Sequence, residues 1–260
     1  MTSNPTTVGT VKYELHEDVA FVTLDAPPLN ILSAAVMADL TASVEFALTE
    51  PTARAIVLRA EGRAFSAGAD VGEHRPEQAP GMIAAFSRLF DVLAGSELPI
   101  VAVVEGAALG AGFELAMMAD ILIATDAATF GQPEIRLGFF APLGVAWLGR
   151  RLGIGRAIEI TALGRTYSAA EMHEFGLVSQ VVPADALDAA LDSVLGHLRR
   201  ASAAVMRMNV RLVRASLDRP FAEARHEAER VFLDELMATE DVREGIAAFY
   251  EKRRPAWRHC

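Results

Sequence analysis

Apolar residues along this chain follow two alternating periods, and the alternation predicts a layered α/β protein. Residues 11–24, VKYELHEDVAFVTL, are two apolar-rich runs around His16, Glu17 and Asp18, the pattern of a β-hairpin with its turn. An extended Pro segment, APPLN, follows. Ser33 then caps a helix to about Thr49, with Val36, Leu40, Val44 and Ala47 on one face. AIVLRA at 55–60 is unbroken and apolar, as in a strand buried on both faces. Residues 61–70, EGRAFSAGAD, form a turn-rich loop, and a helix is predicted over 79–95.

The cycle then repeats. PIVAVVEG (99–106) is a strand, followed by a Gly-rich loop and the helix GFELAMMA. DILIAT (120–125) is a third buried strand, and ATFGQ a short fourth. From residue 143 the pattern is mostly helical, over 143–152, 154–163, 168–175 and 185–199, with VSQVVP (178–183) as a strand among them. Residues 201–252 carry three helical segments, broken at Arg219-Pro220. Strand–loop–helix units about 45 residues apart imply an α/β core over 1–200. Residues 201–260 form a C-terminal helical region that docks on the core or on a neighbouring subunit.

Composition narrows the function. The chain has 260 residues, 52% of them hydrophobic, so a large core forms and disorder is disfavoured. The formal net charge is −10, which argues against nucleic acid as a partner. The N-terminus lacks a basic start and apolar run, and Glu114 and Asp120 interrupt the longest candidate membrane span. These features lead to the expectation of a cytoplasmic protein without a membrane partner. The one cysteine, Cys260, allows neither a disulfide within the chain nor a cysteine metal site. No metal-ligand cluster is expected.

The candidate chemistry lies in ALGAGFELAMMADILIATDAATFGQPEI, residues 108–135. It holds two carboxylates, Glu114 and Glu134, in otherwise apolar surroundings. A buried carboxylate is costly unless partnered, so two in one apolar segment point to acid/base work. Gly110 and Gly112 beside a helix start point to exposed backbone N–H groups, which bind anions and oxyanions. Other readings fail on spacing. The third position of a GxGxxG fingerprint is Leu115, Ser66 has no GxSxG elbow, and HEAER at 226–230 is not HExxH.

FSAGAD (65–70), ALGAGFELAMMAD (108–120) and FGQPEIRLG (130–138) together resemble the signature segments of the crotonase superfamily, the enoyl-CoA hydratase/isomerase family. The resemblance implies a spiral of ββα units with a C-terminal helical region that builds homotrimers, often paired into hexamers. It implies an acyl-CoA substrate, with coenzyme A as part of the substrate and no separate cofactor. By position, the backbone N–H groups of Ala69 and Ala111 form an oxyanion hole. Glu114 activates water and Glu134 supplies the α-proton. Coenzyme A lies along Ala64, Phe65, Ala67, Gly68 and Asp70, with Arg63, Phe249 and Lys252 reaching its nucleotide.

The chain also departs from the family pattern. Ala111 stands where glycine is commonest, and a positive φ there would be strained. GFFAPLG (138–144) replaces a Gly-rich run, so Phe139, Phe140 and Pro142 are expected to reshape the acyl pocket, with His74 either contacting the acyl group or lying on the surface. APPLNILS, ADVGEHRPE and RLGFFAPLG are most similar to a narrower branch that includes cyclohexa-1,5-dienecarbonyl-CoA hydratases. The implied reaction is hydration of a C=C bond conjugated to a CoA thioester. A Δ3,Δ2-enoyl-CoA isomerase or a non-catalytic acyl-CoA binder are the alternatives.

Overall fold

The structure, a computed structural model, describes residues 6–259, so Cys260 and the first five residues lie outside it. The chain opens with β1 (Thr6–Val8), β2 (Val11–His16) and β3 (Val19–Leu24). The turn between β2 and β3 places Glu17 at φ 57°. Ser33 caps α1 (Ala34–Thr49) by accepting the Val36 N–H. Next come β4 (Ala55–Ala60), β5 (Ala64–Ser66), a 3-10 turn over Val71–His74, and α2 (Ala79–Ala94). The second unit is β6 (Ile100–Val104), β7 (Ala107–Leu109) and α3 (Ala111–Met117). The third is β8 (Ile121–Thr125), β9 (Thr129–Gly131), a 3-10 turn over Pro133–Leu137, α4 (Pro142–Leu152) and α5 (Ile154–Leu163).

Each unit places its first strand in one sheet and its second in another, which is the spiral of ββα units. The larger sheet has the order β1-β2-β3-β4-β6-β8 and ends on β11 (Gln180–Val182). The smaller has the order β5-β7-β9 and ends on β10 (Thr166–Ser168). From β3 to β11 the larger sheet is wholly parallel. Both its faces are covered, so its strands are apolar throughout rather than alternating.

The period of two then divides the residues between two clusters. Ile56, Leu58, Ile100 and Ala102 face α1, α2, α3 and the smaller sheet. Val57, Val101, Val103 and Ile123 face Leu187, Leu191 and Leu195 on α7 (Leu187–Arg199), which follows α6 (Ala169–Glu174).

The hairpin, the buried strands and the helices fall where the hydrophobic pattern puts them. The loops differ. Residues 61–70 hold β5 and the Gly-rich loop holds β7, so the repeating unit is strand–strand–helix. Three-residue strands beside glycines carry no readable period. Segment 26–30 is a turn rather than extended, with Asn30 at φ 51°. Asn30 is buried, and its amide donates to the Glu61 and Ala64 carbonyls at 2.9 and 2.8 Å. This locks the turn to the start of β5.

The C-terminal helices α8 (Ala203–Ala215), α9 (Phe221–Asp234) and α10 (Glu240–Glu251) begin with a helix tied to its own core. Arg207 donates to the Glu50 carbonyl at 2.7 Å, and Arg214 to those of Leu93 and Ser96, both at 2.7 Å. Both guanidiniums sit where the α1 and α2 dipoles are negative. Buried Asp241 accepts the Ser202 hydroxyl and the N–H groups of Arg258 and His259, fastening the C-terminal tail. Phe221, Leu233, Phe249 and Tyr250 remain exposed on this region. Among the described residues no helix is long and apolar enough to cross a membrane.

Candidate active site

The crossings from β5 to α2 and from β7 to α3 build one end of a cavity of about 460 Å³. That size suits an organic ligand of moderate size. Segment 29–32 runs beside residues 67–70 and takes the backbone donors of Ala67 and Asp70. Ala67 N–H donates to the Leu29 carbonyl, Leu32 N–H to the Gly68 carbonyl, and Asp70 N–H to the Leu32 carbonyl. Gly68 N–H donates to the Ser66 hydroxyl at 3.1 Å. In this isolated parallel bridge, Leu32 pairs with Ala69 through the groups on either side of Ala69. The Ala69 N–H is therefore left facing away from segment 29–32. Among the described residues it has no acceptor.

The Ala111 N–H is in the same condition for a different reason. Ala111 is the first residue of α3, where an N–H has no partner within the helix. Its neighbour Gly110 adopts φ 54° and ψ −126°, a conformation open to glycine, and its own N–H is taken by the Gly131 carbonyl. The positive φ therefore falls on Gly110, and Ala111 is not strained. At Gly112 any side chain would collide, because a Cβ would lie 2.5 Å from the Ser66 carbonyl oxygen. This close approach of α3 to β5 brings Ala69 and Ala111 to one cavity wall, with Gly68 and Gly110 between them.

Glu114 lies one turn into α3 and is only 2% exposed. Its Oε1 accepts the Gly144 N–H at 2.7 Å, from the first turn of α4. Among the described residues it forms no ion pair, so burial dominates and pushes its pKa up to about 7. The Gly144 and Leu143 N–H groups oppose that rise and the Glu134 charge adds to it. Glu134 lies in the first turn of Pro133–Leu137 and is half-buried. Burial raises its pKa as well, against its own backbone N–H and the charge of His74.

The buried Gln132 amide turns its NH2 toward Glu134, 2.9 Å from each carboxylate oxygen. That donor favours the ionised form. The Glu134 charge is among the causes that raise Glu114, so ionising both carboxylates costs more than ionising one.

The remaining walls are apolar. Met82, Ile83, Phe86 and Phe90 come from α2, and Leu137, Phe139, Phe140, Pro142 and Leu143 from the segment after Glu134. Ser87 and Asp91 add polar groups along α2. His74 lines the cavity and packs on Phe139, with ring centroids 5.0 Å apart.

Most of the residues expected at the site meet here: Ala67, Gly68, Ala69, His74, Ala111, Glu114, Glu134, Phe139, Phe140 and Pro142 all line the cavity. Others do not. The Phe65 side chain belongs to the core, because β5 is buried between the sheets. The Ala64 carbonyl is taken by Asn30, and the Asp70 carboxylate by the Gly72 N–H. Arg63 is exposed beside β5 and does not line the cavity. Neither do Phe249, exposed near the end of α10, and Lys252, its left-handed cap. Sequence reasoning missed the α2 wall, Asn30 and Gln132. The signal for Gln132 was a polar residue closing an apolar strand two positions before an acid.

Comparison with known proteins agrees with this geometry. The enoyl-CoA hydratase/isomerase family profile matches residues 14–259. The chain is 38% identical to a probable enoyl-CoA hydratase of Mycobacterium bovis, over 97% of this chain and 99% of that protein. It is 38% identical to the cyclohexa-1,5-dienecarbonyl-CoA hydratase of Thauera aromatica, over 90% of each. The crystal structure of a Mycobacterium smegmatis enoyl-CoA hydratase superposes with a TM-score of 0.91 at 30% identity, covering 96% of this chain and 99% of that one. A spiral ββα core, two unpartnered N–H groups on one wall and two glutamates sharing the cavity thus coincide with a match along nearly the whole chain, which belongs to the enoyl-CoA hydratase/isomerase family of the crotonase superfamily.

Proposed function

We propose that this protein hydrates a C=C bond conjugated to a coenzyme A thioester. One observation carries the reading: two raised-pKa glutamates, Glu114 and Glu134, line the same cavity as the free N–H groups of Ala69 and Ala111. In this reading the thioester oxygen accepts both N–H groups. Ionised Glu114 takes a proton from water as its oxygen bonds to the β-carbon. The C=C electron pair moves toward the thioester oxygen, where the two donors stabilise the charge. Protonated Glu134 then delivers its proton to the α-carbon. The proton lost by Glu134 equals the one gained by Glu114, so the pair keeps a single proton throughout. An isomerase needs only one such group, and the presence of two favours hydration.

The acyl group is the finer part of the proposal. Phe86, Phe90, Phe139 and Phe140 give the cavity aromatic walls that suit a flat cyclic acyl group. The likeness to the Thauera aromatica hydratase supports the same class, a cyclic dienoyl-CoA. The exposed Arg63 and the cavity-lining Ala67 and Gly68 remain the proposed contacts for coenzyme A. Self-association through the exposed apolar residues of the helical tail, as a trimer or hexamer, is proposed with it.

The test is loss of the conjugated enoyl-thioester absorbance with crotonyl-CoA and with cyclohexa-1,5-dienecarbonyl-CoA. Faster loss with the cyclic ester is expected. Equal or faster loss with crotonyl-CoA would overturn the cyclic preference. No loss with any unsaturated thioester, despite tight binding measured by calorimetry, would overturn hydration.

A further inference from the structure

The wall that carries the Ala69 N–H is fastened at two points to the segment that leads into α1. At the first, the Leu32 N–H donates to the Gly68 carbonyl at 2.9 Å, and the Leu32 carbonyl accepts the Asp70 N–H at 3.3 Å. This pairing turns the Ala69 N–H away from segment 29–32. At the second, the Ala34 N–H donates to Glu73 Oε2 at 2.9 Å, across 39 residues of sequence. No step of the hydration uses the second point.

Glu73 lies in the 3-10 turn Val71–His74 and is half-buried. Gly72 N–H, Glu73 N–H and His74 Nδ1 all meet Asp70, at 2.7, 3.1 and 2.9 Å. Those bonds brace the turn against its own neighbour. The Glu73 carboxylate instead reaches α1, where Ala34 is the first helical residue. An N–H there has no partner within the helix, and the helix dipole favours an anion. Ser33 takes the Val36 N–H, so Ser33 and Glu73 cap α1 together. Ala69, Val71 and His74 line the cavity, each next in sequence to a fastened residue. The bridge between Leu32 and Ala69 is isolated. Alone it would fix the separation of the two chains and leave them free to rotate about it. The bond from Ala34 to Glu73 removes that rotation.

We propose that Glu73 is a positioning residue for the oxyanion-binding wall: by holding the turn Val71–His74 to the start of α1, it stops the stretch from Ala69 to His74 from twisting about the Leu32 bridge. Its catalytic meaning rests on the hydratase reading, whereas the clamp itself stands on hydrogen bonds. A donor stabilises developing charge only when it is held where the oxyanion forms. An Ala69 N–H free to swing would polarise a bound thioester less.

Amide hydrogen exchange of the full-length protein without ligand tests the clamp. In Glu73→Ala, peptides covering 29–36 and 67–74 are expected to exchange about tenfold faster than in wild type, the effect of one lost hydrogen bond on local opening. Glu73→Gln keeps an acceptor for the Ala34 N–H and is expected to restore most of the protection. Glu73→Asp, one methylene shorter, is the milder variant and should loosen the same two segments. Unchanged exchange in the Ala and Asp variants overturns the clamp. A Gln variant as fast as the Ala variant overturns the hydrogen bond as its basis.

The infrared stretch of the thioester carbonyl in bound butyryl-CoA reads the Ala69 N–H itself. Donors on the cavity wall lower that frequency in the wild type. Glu73→Ala is expected to lose about half of the lowering, because one of two donors is displaced, and Glu73→Gln to regain it. A merely structural role would reduce the fraction of protein that binds and leave the stretch of bound molecules unchanged. Faster exchange with an unchanged stretch would overturn the role at Ala69. The expected exchange pattern in a protein that hydrates no thioester would overturn the hydratase reading and keep the clamp.

Discussion

Glu114→Gln is expected to lower the hydration rate by about two to four orders of magnitude, the usual worth of a positioned general base. The amide keeps the size of the side chain and can still accept the Gly144 N–H, so the cavity keeps its shape. It cannot take a proton from water. Affinity for a CoA thioester is expected to stay within a few-fold of wild type, because the Ala69 and Ala111 N–H groups are untouched. Steady-state turnover together with calorimetric binding of a saturated acyl-CoA checks both halves. Turnover within tenfold of wild type would remove Glu114 from the chemistry.

The same substitution is expected to stabilise the folded protein. Glu114 is almost fully buried, and its pKa rises from 4.5 to about 7 on folding. The native state therefore binds the proton more tightly than the unfolded chain, and wild-type stability falls as pH rises between those values. Below pH 4.5 both side chains are neutral and the two proteins should match. Above pH 7 the wild type carries a buried charge that the amide lacks, and the difference should reach about 3 kcal/mol. Urea unfolding at pH 4 to 8, at fixed protein concentration, reads this directly. An unchanged or negative difference above pH 7 would mean that Glu114 is solvated or partnered in solution. Loss of activity with a gain in stability is what a residue kept for chemistry should show.

The parts of this protein that were legible in its sequence are those with a long period. AIVLRA and PIVAVVEG read as buried strands because both sheet faces are covered, and Ser33 marked the start of α1 by its capping chemistry. The smaller sheet was nearly invisible. β5, β7 and β10 have three residues each, too few to show alternation, and β5 and β7 sit beside glycines that read as loop. Only ATFGQ, which holds β9, reads as a strand from its residues; the resemblance of the flanking motifs implied the second strands β5 and β7.

The site followed the same division. Glu114 and Glu134 stood out as carboxylates in apolar surroundings. The free N–H of Ala69 could not be read, because it depends on Leu29 and Leu32 occupying the neighbouring groups from a segment about 40 residues earlier. The α2 wall was hidden for another reason. Met82, Phe86 and Phe90 have the spacing of an ordinary core stripe, and sequence does not show that the stripe also borders a cavity. A positive φ at Ala111 would have been strained, and the chain places it one residue earlier, at Gly110.

The central claim is that water adds across the double bond while the thioester stays intact. Its most direct test is mass spectrometry of the acyl-CoA product formed in water enriched in heavy oxygen, with crotonyl-CoA and the cyclic dienoyl-CoA as substrates. The account predicts one labelled oxygen per product, on the acyl carbon skeleton, with coenzyme A still attached. A product of unchanged mass with a shifted double bond, or label in a free acid beside free coenzyme A, would contradict it.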